Sequence, residues 1–252
     1  MDDAARIDAV EGELAALVAA VAAGPPGERV PTCPEFSLDE LAGHVGQFCG
    51  FWAHVLCEAT GRPKPPYSPE VAPGGRVGWL QALALALVRE LRATPPSTEA
   101  WTWHPTDHTA RFVARRCSHE LAVHRVDAQL AAGGPGAVHP VAPALAADGI
   151  EEVFVLMAHA PGRTASRAAG GGGRQGQTLH LHGTDLSPAE WLVTFDPAGV
   201  SVERAHAKGD LALRGAVSDL EMLLYQRPTL GPVERFGDPA VLDLFHDEFT
   251  FV

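Results

Sequence analysis

Four long segments with helical periodicity fill the first half of this 252-residue chain, and each ends at proline or glycine. The second segment opens with a capping box, because Ser37 stands three residues before Glu40 at the start of an apolar stripe. The four segments cover about residues 4–23, 37–60, 75–93 and 107–132. Long helices joined by short connections favour an up-down four-helix bundle.

The hydrophobic pattern changes after a Gly/Pro-rich segment at residues 133–140. Short alternating runs replace the long stripes, and a turn at 196–199 predicts a hairpin. Helices are expected at 142–158 and 218–226, strands at 178–182, 191–195, 200–204 and 210–214, and loops at the Pro-rich residues 62–73 and the glycine run 170–173. We therefore predict an α+β chain of two domains: a helical domain at 1–140 and a smaller α+β domain at 141–252, with a mostly antiparallel sheet.

The acidic balance of the chain limits its partners. Nineteen Lys and Arg against 31 Asp and Glu give a formal net charge of −12. Nucleic acids and anionic membranes are bound through Lys/Arg patches, so neither is expected as a partner. The acidic start is unlike the basic start of a signal peptide, and the apolar stretch 14–23 is too short to span a bilayer.

The cysteines predict a reducing environment. Cys49 and Cys57 are eight residues apart on one predicted helix, so their Cα atoms would lie roughly 12 Å apart, beyond disulfide reach. No CxxC pair is present, which argues against a cysteine-based zinc site. Reduced thiols and the lack of a targeting segment predict a cytoplasmic protein. Cys33 and Cys117 complete the set of four, and Cys117 is expected in the core.

A group of candidate metal ligands lies on two of the predicted helices. Glu120 and His124 are four residues apart on one helical face, and His44 shares the inward face of the second helix with Leu41 and Phe48. Two imidazoles and a carboxylate suit zinc or another divalent first-row ion, and three protein ligands leave positions open for water and substrate. Two simpler interpretations remain: Glu120 pairs with His124 or an arginine on the surface, or His44 is a core histidine.

The remaining histidines fit a metal site less well. His119 and His124 are five residues apart, on different faces, so the zinc-protease motif is absent and His119 is expected on the surface or behind the ligands. Asp127 is expected either to orient His124 or to lie on the surface. Weaker candidates are His54, His104 and His108. His180 and His182 alternate on a strand and face the same way, so they are expected to line a solvent or domain face rather than to bind metal.

Three separated motifs resemble those of the mycothiol-dependent maleylpyruvate isomerase family of actinobacteria. The first is residues 32–46, TCPEFSLDELAGHVG, and the second is residues 116–128, RCSHELAVHRVDA. The tail resembles the family's second domain at residues 178–185, 190–193 and 209–220. The motifs occur in the same order and span nearly the whole chain. One departure is Glu35-Phe36, where the family often has Gly-Trp.

The resemblance implies a DinB-like bundle at 1–140 that carries a divalent metal, zinc, on His44, Glu120 and His124. It also implies a sterol-carrier-like domain at 141–252. In the family, metal-bound mycothiol acts as the nucleophile, so the expected activity is that of a thiol-dependent isomerase or S-transferase acting on a small electrophile. Arg76, at the start of the third helix, is a candidate for holding a carboxylated substrate or the sugar of the thiol. The alternative is a non-catalytic small-molecule or lipid-binding protein with a structural metal.

Overall fold

The computed structural model describes residues 1–58, 75–159, 175–197 and 199–248. The predicted loops at 62–73 and 170–173 lie outside these residues, as does residue 198 of the predicted hairpin turn. The chain divides into two compact units, Met1–His139 and Pro140–Val252. Within the described residues, no helix combines the length and the apolar character that a membrane span requires.

The first unit contains four long helices. They are α1 (Asp3–Ala23), α2 (Leu38–Glu58), α3 (Arg76–Ala93) and α4 (Ala110–Gly133). The capping box is confirmed, because Glu40 Oε2 accepts a hydrogen bond from the Ser37 backbone N–H at 2.7 Å and Ser37 Oγ accepts one from Glu40 N–H at 3.3 Å. The fourth helix starts later than predicted because Thr109 caps it, accepting a bond from the Phe112 N–H.

Helices α1 and α4 run in the same direction. Asp3 near the start of α1 pairs with Arg111 at 2.9 Å near the start of α4, and Glu13 further along α1 pairs with Arg125 at 2.7 Å. Helix α2 runs opposite to α4, because His44 meets Glu120 while Thr32, before α2, meets the later part of α4. The end of α3 returns to the start of α1, where Arg92 pairs with Asp8.

Helices α2 and α3 also run in the same direction. Asp39 near the start of α2 pairs with Arg76 at the start of α3 at 3.3 Å. Gly46, about two turns later on α2, lies against the ring of Trp79, about one turn later on α3. The four-helix bundle is confirmed, but its order is up-down-down-up rather than the simple alternation expected from the sequence. The reason is that periodicity identifies the buried face of a helix and not the direction of its neighbour.

Helix α4 is buried around most of its circumference. Leu121 and Ala122 are fully buried in the core, and so are the ionisable side chains of His119 and Asp127. Buried ionisable groups are costly unless they are paired or bind a metal. The part of α4 that carries Glu120 and His124 therefore requires partners from other parts of the bundle.

The second unit is α+β, as predicted. Its strands are β1 (Gln177–Gly183), β2 (Glu190–Asp196), β3 (Gly199–Glu203), β4 (Leu211–Gly215) and β5 (Glu234–Gly237), in the order β3-β2-β1-β4-β5. Its helices are α5 (Pro143–His159), α6 (Val217–Leu224) and α7 (Ala240–Glu248). β1 and β4 are parallel and the other described pairs are antiparallel, so the mostly antiparallel sheet is confirmed.

The two faces of the sheet differ in polarity. Leu179, Leu181 and Trp191 are fully buried on the face that packs on helices. Because side chains alternate along a strand, His180 and His182 of β1 point to the other face, and Glu190 of β2 stands directly opposite His182.

Candidate metal centre

The bundle brings the three predicted ligands together. Nε2 of His44 and Nε2 of His124 each lie 3.4 Å from Oε1 of Glu120. The three donor atoms all lie within 4.8 Å of one another. Two ligands of a tetrahedral zinc ion, each about 2.1 Å from it, are separated by about 3.4 Å. The donor set and its spacing therefore fit a divalent metal.

The cluster opens to solvent on the side of His44. The exposed fraction of the side chain falls from 39% at His44 to 22% at Glu120 and 11% at His124. Phe36 stacks on the His44 ring at 5.5 Å between centroids, and the His124 ring meets His44 edge-on at 5.0 Å. Phe36, the position where the sequence departs from the family motif, thus orients His44. A small solute can reach the cluster from this side.

Arg116 holds Glu120 in its ionised form. Glu120 Oε1 faces the two histidines, and Oε2 accepts a hydrogen bond from Nη2 of Arg116 one turn earlier on α4. Burial alone would raise the pKa of Glu120, but the charge of Arg116 and the hydrogen bonds of His124 and His44 hold it well below its usual range. A metal ligand must be deprotonated, so this electrostatic setting favours coordination. Pairing of Glu120 with an arginine is one of the simpler interpretations of the sequence; the arginine is Arg116, four residues earlier, and its side chain is buried rather than on the surface.

Asp127 fixes the orientation of His124. Its Oδ2 lies 2.9 Å from Nδ1 of His124, which leaves Nε2 directed at Glu120. Asp127 is fully buried and also accepts hydrogen bonds from Thr32 Oγ1 at 2.5 Å and Cys33 Sγ at 3.7 Å. A surface role for Asp127 is therefore wrong, and its position is that of a carboxylate behind a metal-binding histidine.

The same contacts determine the protonation of His124. Burial lowers its pKa, but the hydrogen bonds to Asp127 and Glu120 raise it to about 9. In the metal-free protein His124 is therefore protonated at neutral pH. A metal ion that binds Nε2 would displace that proton.

Replacing Asp127 with asparagine should weaken zinc binding by about 10–100-fold, because His124 loses the carboxylate that orients its ring and raises its basicity. The measurement is a zinc titration against a chromophoric competitor. Asp39→Asn is the matched control, since Asp39 is a partly exposed carboxylate paired with Arg76 rather than with a ligand. An unchanged zinc affinity in Asp127→Asn would contradict the orienting role.

The other candidate residues lie elsewhere within the described part of the chain. His119 is fully buried, so it is not a surface residue, and Cys117 is in the core as predicted. His54 pairs with Glu58 at 3.2 Å along α2. His104 and His108 make contacts within the loop before α4. His104 Nδ1 accepts a hydrogen bond from the Asp107 N–H at 3.0 Å, and His108 Nδ1 lies 3.2 Å from Thr102 Oγ1.

Arg76 packs against α2 at the residue that precedes His44. Its guanidinium pairs with Asp39 at 3.3 Å and lies against Gly43, where a Cβ would be 3.4 Å from the guanidinium carbon. Gly43 immediately precedes His44 on α2. The positive charge of Arg76 thus lies against the turn of α2 that carries His44.

No cysteine among the described residues forms a disulfide, and two thiols have raised pKa values. Burial, with the charge of Glu120, raises the pKa of Cys49 to about 12. Burial and the hydrogen bond with Glu90 raise the pKa of Cys57. Cys33, Cys49 and Cys117 are buried, and Cys57 is exposed. Neither Cys49 nor Cys57 is poised as a thiolate nucleophile.

Comparison with known proteins gives one family and one fold. The family model described as mycothiol maleylpyruvate isomerase N-terminal domain matches residues 7–129, which include all three ligands. A crystal structure of the mycothiol-dependent maleylpyruvate isomerase is similar at 13% identity and a TM-score of 0.57 over 93% of both chains. The structure of a histidine-to-alanine mutant of the mycothiol-dependent maleylpyruvate isomerase is similar at 14% identity and a TM-score of 0.56 over 88% of both chains. At such identities the likeness shows the fold alone, and no curated protein matches the sequence.

Proposed function

We propose that this chain, whose residues 7–129 match the family model of the mycothiol maleylpyruvate isomerase N-terminal domain, is a metal-dependent enzyme that uses mycothiol to transform a small electrophile. One observation carries the proposal. His44, Glu120 and His124 bring three donor atoms within 4.8 Å of one another inside the segment that matches the family.

The donor set supports a catalytic rather than a structural metal. Two imidazoles and one carboxylate suit zinc, and a site with three protein ligands keeps a position for an external ligand. A divalent ion bound there would lower the pKa of a coordinated thiol, whose free value is about 8.5, so that the thiolate is available at neutral pH. The exposed edge at His44 gives that thiol access.

The surrounding residues would prepare the site. Asp127 holds the His124 ring so that Nε2 faces the ligand cluster, and Arg116 keeps Glu120 ionised. Arg76 places a positive charge beside Gly43, next to His44, where it can attract a carboxylate of the substrate or polar groups of the thiol. Its partner Asp39 holds it in this position.

The attacking sulfur comes from outside the protein in this proposal. Cys49 stays protonated because its pKa is about 12, the pKa of the exposed Cys57 is raised by burial and its hydrogen bond with Glu90, and Cys117 and Cys33 are buried. An external low-molecular-weight thiol therefore supplies the nucleophile. Four cysteines without a disulfide also agree with a reducing compartment such as the cytoplasm.

Two reactions are consistent with such a thiolate. In isomerisation, its sulfur bonds to one carbon of a cis double bond conjugated to a carbonyl, and the π electrons move onto the carbonyl. Rotation about the new single bond and expulsion of the same thiolate then give the trans isomer and return the thiol. In S-transfer the adduct is protonated instead, or a halide leaves, and the thiol is consumed.

Turnover is expected to require both the thiol and the metal. We would incubate the full chain with a maleyl compound and, separately, with a chlorinated aromatic, each with and without mycothiol, before and after removal of metal by a chelator. Isomer or S-conjugate should form only when thiol and metal are both present, and zinc should restore activity to the stripped protein.

Two outcomes would overturn the proposal. Equal turnover without any thiol would indicate metal-assisted hydrolysis. No turnover across a broad panel of electrophiles would indicate the small-molecule or lipid-binding protein with a structural metal.

A further inference from the structure

A second cluster of metal-ligand side chains lies in the second unit, on the sheet face opposite the buried leucines. His180 and His182 come from β1, and Glu190 lies at the start of β2, directly opposite His182. His206 comes from the irregular segment between β3 and β4. One donor atom from each of these four residues lies within 4.8 Å of the others.

The three imidazoles converge on a single carboxylate oxygen. Oε2 of Glu190 lies 3.0 Å from Nε2 of His180, 3.3 Å from Nδ1 of His182 and 2.5 Å from Nδ1 of His206. The three rings make angles of 71–89° with one another, so they approach the oxygen from different directions. One carboxylate oxygen has about two lone pairs, so it cannot accept a hydrogen bond from all three rings. His180 and His206 make hydrogen bonds with this oxygen, and His182 adds an ion-pair contact at 3.3 Å, so the third ring is held at the carboxylate without a hydrogen bond of its own to it.

The segment that carries His206 is anchored beside β1. The Asp210 carboxylate accepts hydrogen bonds from the Thr178 N–H at 2.7 Å and from the Thr178 hydroxyl at 2.8 Å, and the Asp210 N–H donates back to that hydroxyl at 2.9 Å. A Cβ at Gly209 would lie 2.9 Å from the His180 backbone nitrogen, so the close approach of this segment to β1 requires glycine. The backbone is thus built to hold His206 next to His180.

Burial in the cluster is graded from the sheet to the solvent. The exposed fraction of the side chain is 8% at His180, 25% at Glu190, 31% at His182 and 81% at His206. Ligands of a tetrahedral zinc ion lie about 3.4 Å apart, close to the 3.0 and 3.3 Å distances from Glu190 to the strand histidines. The 2.5 Å distance from Glu190 to His206 is shorter than this spacing, and the exposed position of His206 on an irregular segment allows it to withdraw.

We propose that His180, His182, Glu190 and His206 form a second site for a divalent first-row transition metal, distinct from the cluster in the helical unit. Imidazole nitrogens suit zinc and its neighbours in that series. Four protein ligands complete a tetrahedral shell and leave no open position, which is the arrangement of structural zinc. The ion would join β1, β2 and the segment after β3, and so stabilise the second unit.

The test is zinc binding by the full chain in a His44→Ala background, which disables the first cluster. Chelator-stripped protein is titrated with zinc against a chromophoric competitor, and its thermal unfolding is followed with and without zinc. The His44→Ala chain should bind one equivalent and unfold at a higher temperature with zinc. Adding His206→Ala, an exposed substitution that leaves no cavity, should weaken binding by at least about tenfold.

Two further variants guard against a folding artefact. Adding His182→Ala or Glu190→Gln should each abolish the remaining zinc equivalent, whereas adding His54→Ala, which removes a histidine from the α2 surface, should not. No zinc bound by the His44→Ala chain, or zinc that survives both His182→Ala and Glu190→Gln, would overturn the second site. Failure of the first site would look different, because a His182→Ala chain with intact His44 would then bind no zinc.

Discussion

Replacing Glu120 with glutamine is expected to lower thiol-dependent kcat/KM by about 10³-fold or more, because a bound metal contributes several kcal/mol to such a reaction. Glutamine keeps the shape of the side chain and removes its charge. The amide is a weaker ligand. It also no longer neutralises Arg116, whose side chain is only 8% exposed. The measurements are zinc content and steady-state kinetics on the same preparation.

The controls separate loss of metal from loss of fold. Glu58→Gln is the matched substitution, because Glu58 also pairs with a histidine four residues away, His54, but no third ligand joins them among the described residues. It should leave zinc content and turnover unchanged. His44→Ala removes a partly exposed ligand and should lose the metal of the helical unit and the activity, with little loss of helix content, while the zinc of the second cluster remains. Full zinc content and turnover in Glu120→Gln would remove Glu120 from the site.

Local sequence rules predict the long helices and place the three candidate ligands on inward helix faces. Glycine and proline mark the ends of the long helices, and the Ser37–Glu40 box marks the start of α2. The spacing of Glu120 and His124 places both on one face of α4, and the apolar neighbours of His44 place it on the inward face of α2. These inferences need only helix periodicity, so they did not require knowledge of the tertiary structure.

Other features depend on tertiary packing, which periodicity does not encode. The parallel arrangement of α2 and α3 is one example, because an antiparallel arrangement would bury the same helix faces. Strand β5 is exposed at every position and shows no alternation, so nothing in residues 234–237 signals a strand. Helix α7 was also missed.

The second cluster shows the same limit at a functional level. The shared orientation of His180 and His182 was predicted from alternation on a strand. Their meeting with Glu190 depends on the register of β1 and β2, and their meeting with His206 depends on a segment that belongs to no helix or strand. Spacing within a single strand therefore predicts only that His180 and His182 share a solvent or domain face, and not that they meet Glu190 and His206.

Replacing Gly46 with alanine should destabilise the helical unit by about 2 kcal/mol or more, because the new methyl group overpacks a full interface. A Cβ at Gly46 would lie 2.0 Å from one carbon of the Trp79 ring and 2.6 Å from another. Trp79 is 6% exposed, so the ring has little room to move away. Gly46 is two residues from His44 on α2.

The expected change is a fall in Tm of roughly 4–8 °C for a domain of this size. Thermal unfolding should be followed in the presence of a chelator, because bound metal would add its own stabilisation. Gly12→Ala is the control: Gly12 lies in the interior of α1 with nothing within 4 Å of a built Cβ, so alanine there should stabilise by about 0.5–1 kcal/mol. In a Trp79→Leu background, the cost of Gly46→Ala should largely disappear, since the ring that the methyl group meets is gone. An equal loss of stability in both backgrounds would show that the overlap with Trp79 is not the cause, and that the close packing of the parallel pair α2 and α3 does not depend on glycine at this position.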